Sequence, residues 1–234
     1  MRLDAQGLDA FYGQAHILFA VDVAVGEGEV VALLGRNGAG KTTTFRSLMG
    51  LVPRRAGRVL LAGEDISRLP PYEIARRGLG YVPEDRRIFT DLTVEENLEV
   101  GRRPPRPGVA TWTVERICAL FPNLGEMRGR RGGQMSGGEQ QMLAIARTLM
   151  GNPALVLLDE PSEGLAPRIV EQMAEAIVAM KREGLGILVS EQNLHFARLV
   201  CDRAYILERG RVRFSGTMAE LEAAPELRDA YLAV

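Results

Sequence analysis

The sequence contains little of several residue types, and each shortage excludes a class of protein. It has only two cysteines, Cys118 and Cys201, which are far apart, without metal-ligand spacing and without a histidine cluster nearby. This excludes a disulfide framework and a Cys–His metal site, and it indicates free thiols in a reducing compartment. No apolar run reaches the ~20 residues of a membrane-spanning helix, and residues 1–12 do not have the pattern of a signal peptide. The net charge of −1 gives no overall basic surface for nucleic acid.

Lysine is also nearly absent, because Lys41 and Lys181 are the only two among 29 basic residues. Lys41 lies in Gly-Arg-Asn-Gly-Ala-Gly-Lys-Thr, which matches the P-loop pattern between an apolar strand pattern and a helical pattern. In such a loop backbone N–H groups cradle phosphates, the lysine adds a point charge, and the Thr42 hydroxyl can bind Mg²⁺. A glycine-rich turn would match by chance only about once in a hundred chains of this length. We therefore predict that ATP is bound by Gly35, Asn37, Gly38, Ala39, Gly40, Lys41, Thr42 and Thr43.

A second apolar run, 155–158, ends in two adjacent acids, Asp159 and Glu160. Taken alone, a strand that ends in two acids is common, and an edge turn explains it equally well. Downstream of a P-loop it indicates a Walker B element, in which the aspartate holds Mg²⁺ and the glutamate orients and deprotonates the attacking water. The sequence therefore predicts Glu160 as the catalytic base, with Asp159 and Thr42 as metal ligands.

Ser136 and Glu139 have the spacing of a capping box at the start of a helix. A capping box does not require the two glycines between them, Gly137 and Gly138, which cost helix stability. Bare backbone amides at a helix start form an anion site, and this gives a functional reason for both glycines. We therefore predict an anion-binding site at Ser136, Gly137, Gly138 and Glu139.

Strand and helix patterns alternate over most of the chain, which predicts an α/β fold with a parallel sheet. The middle of the chain is different, and its helical patterns cover 94–100, 113–121 and 137–150. We predict a single domain over 1–234. Its α/β nucleotide-binding core consists of 1–85 and 153–234, and a helical subdomain is inserted at 86–152.

The order of the three motifs, a P-loop, then Ser136–Gln140, then the acidic strand end, resembles the nucleotide-binding subunits of ABC transporters over essentially the whole chain. The resemblance implies a P-loop NTPase fold of the ABC type, with a parallel-sheet core, an antiparallel β subdomain and an inserted helical subdomain. It also implies an ATPase that works as a head-to-tail dimer. Ser136, Gly137 and Gly138 would then contact the ATP held by the partner subunit.

Single positions match this family or depart from it. Tyr12 stands where the family has an aromatic residue that stacks on adenine, although an ordinary strand aromatic is the simpler alternative. Glu84 stands where glutamine is usual, and by the resemblance it binds the nucleotide and Mg²⁺. Gln192 stands where a switch histidine is usual, which implies a catalytic role; its amide can donate to a phosphate but cannot become cationic. Ala166 replaces the usual aspartate of the loop after the catalytic acid.

Four segments together are similar to one branch of the family: Val-Pro-Glu at 82–84, Thr-Val-Glu-Glu-Asn-Leu at 93–98, Gly-Leu-Ala-Pro at 164–167 and Glu-Gln-Asn at 191–193. That branch is the shorter of the two ATPases in branched-chain amino acid importers. It implies a longer homologous ATPase as dimer partner, two membrane permease subunits and indirect contact with a solute-binding protein, although the isolated chain could also form a homodimer. It further implies a peripheral position on the cytoplasmic face of the plasma membrane, with Ile88 and Phe89 in the groove that receives a permease helix.

The alternatives within the family are an importer of urea or amides and an exporter of lipid or lipopolysaccharide. A soluble ABC-type ATPase acting on DNA or ribosomes is disfavoured, because the inserted segment is too short for a long coiled coil and the chain holds one ATPase unit. A phosphate-transferring kinase would not need the Ser-Gly-Gly sequence at 136–138. No nucleic acid partner is therefore expected.

Overall fold

The computed structural model describes residues 2–231. Within this range the strands are β1 (Leu3–Tyr12), β2 (Ala15–Val25), β3 (Val30–Leu34), β4 (Arg54–Leu61), β5 (Glu64–Asp65), β6 (Leu79–Val82), β7 (Leu155–Asp159), β8 (Gly186–Glu191), β9 (Arg203–Glu208) and β10 (Arg211–Thr217). The helices are α1 (Lys41–Leu48), α2 (Pro71–Arg76), α3 (Val94–Gly101), α4 (Val114–Leu120), α5 (Pro122–Glu126), α6 (Gly137–Leu149), α7 (Pro167–Arg182), α8 (Leu194–Val200), α9 (Met218–Glu222) and α10 (Pro225–Tyr231). A short 3-10 helix covers Gly132–Gln134.

The larger sheet has six strands in the order β10-β9-β3-β8-β7-β6. Neighbouring strands from β9 to β6 are parallel, and β10 is antiparallel to β9. The strands β3, β7 and β8 are buried along their whole length, and their nearly continuous apolar sequences suit strands covered on both faces. At the C-terminal edge of the sheet, Asp159 is paired with Ser190 and Leu34 with Glu191. Ligands of open α/β sheets bind at this edge, which also holds the candidate site.

The smaller sheet is antiparallel and has the order β2-β1-β4-β5. Its buried face, which includes Leu3, Leu8 and Leu18, forms one apolar core with Phe45 of α1 and Leu33 of the larger sheet. The helix α1 contacts strands of both sheets, so the core holds it in a fixed position. The two sheets confirm the predicted fold class, an α/β protein with a parallel-sheet core and an antiparallel β subdomain.

The chain passes from β6 to β7 through the helices α3 to α6, in the interval where the sequence pattern is helical. Their apolar side chains, among them Leu98, Ile117 and Leu143, form one core with Met173 and Ile177 of α7. The subdomain boundaries at 86 and 152 stay a prediction. Between residues 2 and 231, no helix is both long and apolar enough to cross a membrane.

The start of a helix is predictable where a capping sequence marks it. Short or exposed helices and strands lack such a pattern and are not predictable. The Thr93 N–H donates to Oε2 of Glu96 at 2.7 Å and Thr93 Oγ1 accepts the Glu96 N–H at 3.2 Å, which forms a capping box at the start of α3. By contrast, β5 consists of two exposed charged residues, and α5 begins at a proline and contains Gly125, so neither has an apolar period. The strand β4 begins at Arg54, and its first part pairs with β1 while its side chains are largely exposed, so no apolar pattern marks this start.

Candidate functional site

The loop between β3 and α1 holds the P-loop, and its backbone requires glycine at two positions. A Cβ on Gly35, which has φ 156°, would overlap the carbonyl oxygen of Leu207. Gly40 has φ 111°, a left-handed conformation that other residues rarely adopt, directly before the first residue of α1. The helix α1 has no side-chain cap and no acidic residue in its first turn. Its first backbone N–H groups are therefore open to an anionic ligand.

Lys41, the first residue of α1, has only 4% of its surface exposed. Its Nζ donates to the Gly35 carbonyl at 2.7 Å and lies 3.0 Å from Oε1 of Glu160. Glu160 follows β7, is also buried, and has φ 46°, a left-handed conformation that strains a residue with a side chain. The two buried charges are therefore paired with each other next to the P-loop.

Gln192 connects the P-loop to Glu160. Its Nε2 donates to Oδ1 of Asn37 at 2.7 Å and to Oε2 of Glu160 at 2.9 Å. Both oxygens of the Glu160 carboxylate are therefore engaged, one by Lys41 and the other by Gln192. The structure thus places the two residues that the sequence predicts as catalytic in direct contact.

Asp159, at the end of β7, accepts hydrogen bonds from three hydroxyl groups. Thr42 Oγ1 donates to Oδ1 at 3.2 Å, Ser190 Oγ donates to the same oxygen at 2.6 Å, and Tyr81 OH donates to Oδ2 at 3.0 Å. Burial raises the pKa of Asp159, and these hydrogen bonds oppose the rise. Of these three residues, only Thr42 is predicted from the sequence; Ser190 and Tyr81 are not. In the sequence each is a polar residue near the end of an apolar strand. This pattern indicates a contact with Asp159 only once β6 and β8 are known to flank β7.

Thr42 and Asp159 fit the requirements of Mg²⁺, because hydroxyl and carboxylate oxygens are the hard ligands that this ion prefers. Residues 2–231 contain no group of three or more His, Cys, Asp or Glu side chains that could hold a metal. A nucleotide-bound Mg²⁺ does not require one, since it uses one or two protein carboxylates together with phosphate and water oxygens. Glu84, the third predicted ligand, is exposed and lines the same cavity as Thr42.

One cavity of about 410 Å³ gathers most of the predicted nucleotide-binding residues. Tyr12 lines it with 42% of its surface exposed, so the ring is accessible to a planar ligand. The lining residues are Tyr12, Ile17, Asn37, Gly38, Ala39, Gly40, Lys41, Thr42, Thr43, Glu84 and Glu160. The P-loop, the aromatic ring and the acid after β7 therefore face a common space.

The residues 136–139, all within the described range, do not line this cavity but begin α6. Oε2 of Glu139 accepts the Ser136 N–H at 2.7 Å, and Ser136 Oγ accepts the Glu139 N–H at 3.4 Å, which forms a capping box. A Cβ on Gly138 would lie 2.8 Å from Cγ2 of Ile169. Close packing is therefore a second reason for this glycine, and the sequence does not reveal it because Ile169 belongs to α7.

Known proteins that resemble this chain are ATP-binding proteins of transport systems. Residues 18–163 match the family model described as ABC transporter. The chain is 45% identical over 225 residues, 96% of its length and 97% of the relative's, to the high-affinity branched-chain amino acid transport ATP-binding protein BraG of Pseudomonas aeruginosa. It is 37% identical over 233 residues, 98% of its length and 96% of the relative's, to the lipopolysaccharide export system ATP-binding protein LptB of Haemophilus influenzae.

A solved structure of an ATP-binding subunit of an ABC transporter has the same fold. It matches with a TM-score of 0.82 and 31% sequence identity, over 99% of this chain and 96% of that one. The family match includes both the P-loop and Glu160, which line the cavity described above. The chain therefore belongs to the ABC transporter family, and it is an ATPase.

Proposed function

We propose that this ATPase powers an importer of branched-chain or other hydrophobic amino acids from the cytoplasmic face of the plasma membrane. The 45% identity to BraG over nearly the whole chain supports this solute class. The contact of Glu160 with both Lys41 and Gln192 carries the proposed chemistry. It places a carboxylate and an amide beside the loop that binds phosphate, where an attacking water must be oriented and deprotonated.

The remaining residues of the site bind and orient the nucleotide. The backbone amides of the P-loop and the Lys41 ammonium bind the phosphates, and Tyr12 stacks on the adenine. Thr42 and Asp159 would hold Mg²⁺, with Glu84 on the wall of the same cavity. The ion, when bound, would neutralise negative charge on the phosphates.

Glu160 acts as the general base in this proposal. Its carboxylate leaves the ion pair with Lys41 when a phosphate group takes that ammonium, and Oε1 then becomes free to accept a proton from water. Gln192 holds the other oxygen, so the carboxylate keeps its orientation during the exchange. The second N–H of the same amide, which donates to Asn37, can turn towards the γ-phosphate.

The start of α6 is proposed to complete the site of a second subunit. Ser136 is exposed, and the residues 136–139 do not face the cavity of their own chain. The N-terminus of this 13-residue helix has partial positive charge and backbone amides that suit a phosphate group. We therefore propose a head-to-tail dimer with a longer homologous ATPase, or a homodimer of the isolated chain, in which each α6 contacts the ATP of the other subunit.

Gln192→Ala should lower ATP turnover by about 10- to 100-fold, because it removes a donor at the reacting phosphate and the contact that orients Glu160; one such donor contributes at most roughly 2.7–4 kcal/mol. Gln192→His should retain activity and add an inflection to the rate profile between roughly pH 6 and 7, where histidine titrates. ATPase rates of both variants are measured against pH in the assembled complex. Wild-type turnover in Gln192→Ala would show that this side chain contributes nothing.

A groove of about 1060 Å³ beside α2, α3 and α6 is the proposed contact with the permease. It contains the exposed rings of Tyr72 and Phe89. Arg147 of α6 lies over the Phe89 ring at 4.9 Å, and its buried Nη1 has no partner among the described residues. The charged lining residues are Arg76, Arg103, Arg106 and Arg147. This lining suits a permease helix with apolar and acidic side chains, and α6 connects the groove to the phosphate-binding helix start.

Phe89→Asp should leave ATP binding by the free subunit intact and reduce transport by the assembled complex at least roughly tenfold, because it places a charge in an apolar contact. Uptake by the complex and the ATP-induced thermal shift of the free subunit measure the two effects. Leu51→Asp is the matched control: Leu51 has the same 47% exposure as Phe89 but does not line the groove. If Phe89→Asp simply unfolds the subunit, Phe89 belongs to the core and the groove assignment is wrong.

Uptake of radiolabelled leucine, isoleucine and valine by the source cells tests the proposed solute class. Deletion of the gene should abolish this uptake, and the wild-type chain but not Lys41→Ala should restore it. The second candidate function is lipopolysaccharide export, which the 37% identity to LptB favours. Normal amino acid uptake after deletion, together with loss of lipopolysaccharide from the cell surface, would support that candidate and contradict the importer.

A further inference from the structure

Glu191 is a buried carboxylate without a role in the reaction proposed above. It is the last residue of β8, and only 2% of its surface is exposed. Oε1 accepts the backbone N–H of Ser162 at 3.2 Å, and Oε2 accepts the backbone N–H of Asn193 at 3.3 Å. Among the side chains that the structure describes, no cation pairs with it.

Such a carboxylate is costly to bury, so its presence requires an explanation. Burial raises the pKa of Glu191, which shows that the surroundings disfavour its charged form. A position that served packing alone would hold an apolar side chain. The groups that donate to Glu191 are the backbone N–H groups of Ser162 and Asn193 and the hydroxyl of the Ser162 side chain. A carboxylate offers an acceptor to each backbone N–H, whereas a glutamine would place a donor against one of the two.

The end of β8 contacts three parts of the site through three consecutive residues. Ser190 donates to Asp159, Gln192 donates to Glu160, and Glu191 holds the loop at Ser162. Because Ser162 follows Glu160 closely in the chain, these contacts form a closed circuit. It runs from Glu160 along the backbone to Ser162, through a hydrogen bond to Glu191, and from Gln192 back to the Glu160 carboxylate. A displacement of the Ser162 loop would therefore also move the Gln192 side chain.

We propose that Glu191 is a positioning residue for ATP hydrolysis, which fixes the Ser162 loop against β8 so that Gln192 keeps its contact with Glu160. This proposal rests on the roles proposed above for Glu160 and Gln192. The loop and Gln192 also line one cavity of about 490 Å³. A subunit that contacts the loop there would change the orientation of the Gln192 amide through Glu191.

The test compares the ATPase kinetics of Glu191→Gln, Gln192→Ala and the double variant in the assembled complex. Glu191→Gln should lower kcat by about tenfold and leave KM for ATP within about twofold, as expected for a residue that orients a catalytic group. In the Gln192→Ala background the same change should have no further effect, because the contact that it maintains is already absent. Glu191→Asp, which keeps two acceptors, should recover part of the rate. Glu175→Gln changes an exposed glutamate of α7 and should keep the wild-type rate.

A merely structural role of Glu191 gives a different result. Glu191→Gln would then lower the thermal midpoint and slow both backgrounds by the same factor. That outcome, or a wild-type kcat in Glu191→Gln, would overturn the proposal. If the catalytic role proposed for Gln192 is wrong, Gln192→Ala would keep the wild-type rate. That result would overturn the role of Gln192 and, with it, the role of Glu191.

Discussion

Glu160→Gln is expected to stop ATP hydrolysis while the variant still binds ATP. General-base catalysis contributes typically ~10²- to 10⁴-fold to a rate, and the amide cannot accept the proton of the attacking water. Affinity should not fall, because the substitution removes a negative charge beside the phosphates and frees Lys41, which lies 3.0 Å from Oε1 of Glu160. Steady-state ATPase rates measure the first effect, and the ATP-induced thermal shift measures the second.

The same variant should accumulate as a closed dimer. Unhydrolysed ATP would remain between the P-loop of one subunit and the Ser136 helix start of the other. Gel filtration with Mg-ATP, with the longer partner added where it is required, should show a larger species that disappears with ADP. Glu175→Gln, which removes an exposed charge, should behave as wild type. Full activity of Glu160→Gln would contradict the general-base role, and arrested turnover without a larger species would contradict the proposed dimer.

The P-loop is predictable from the sequence because its residues are neighbours along the chain. Residues 35–43 supply the glycine conformations, the ammonium and the hydroxyl in one stretch, and local backbone geometry brings them together. The same holds for the capping box at Ser136, which the structure confirms. The alternation of strand and helix patterns likewise predicts the α/β class without knowledge of which strands are paired.

The contacts around Asp159 are not predictable in this way, because they depend on strand order. Tyr81 and Ser190 are distant from Asp159 in the sequence and reach it only because β6 and β8 flank β7. The contact of Glu191 with Ser162 is non-local for the same reason. Each of these residues has an unremarkable sequence context, so the pattern alone gives no reason to select it.

Gln192 shows how the structure changes the interpretation of a departure from the family pattern. From the sequence, the missing switch histidine removes a group that can become cationic. In the structure the amide nitrogen donates to Asn37 and to Glu160 at the same time. This bridge requires two N–H groups on one nitrogen, which an amide has and a histidine ring nitrogen does not. Glutamine therefore connects the P-loop to the proposed base without adding a charge.

Lys41→Ala should abolish ATP binding at the ATP concentrations that saturate the wild type. Hydrogen bonds to charged groups contribute roughly 1.5–3 kcal/mol each, so the loss of two phosphate contacts weakens binding by about 100-fold or more. The substitution also leaves the buried Glu160 carboxylate without its cation, and this carboxylate then repels the phosphates. Tyr12→Ala should weaken binding less, because stacking of a base on an aromatic ring contributes about 1–3 kcal/mol. Thermal shift against ATP concentration gives the Kd of each variant.

The buried pair of Lys41 and Glu160 provides an internal control for this prediction. If part of the loss in Lys41→Ala comes from the unpaired carboxylate, the double variant Lys41→Ala/Glu160→Gln should bind ATP more tightly than Lys41→Ala alone. If Lys41 acts only through direct contacts with phosphate, the second substitution should leave the affinity of Lys41→Ala unchanged. The thermal midpoints without nucleotide separate this effect from unfolding, because an unpaired buried charge destabilises the single variant more than the double variant. An ATP-induced shift in Lys41→Ala equal to that of the wild type would overturn the P-loop assignment, whichever result the double variant gives.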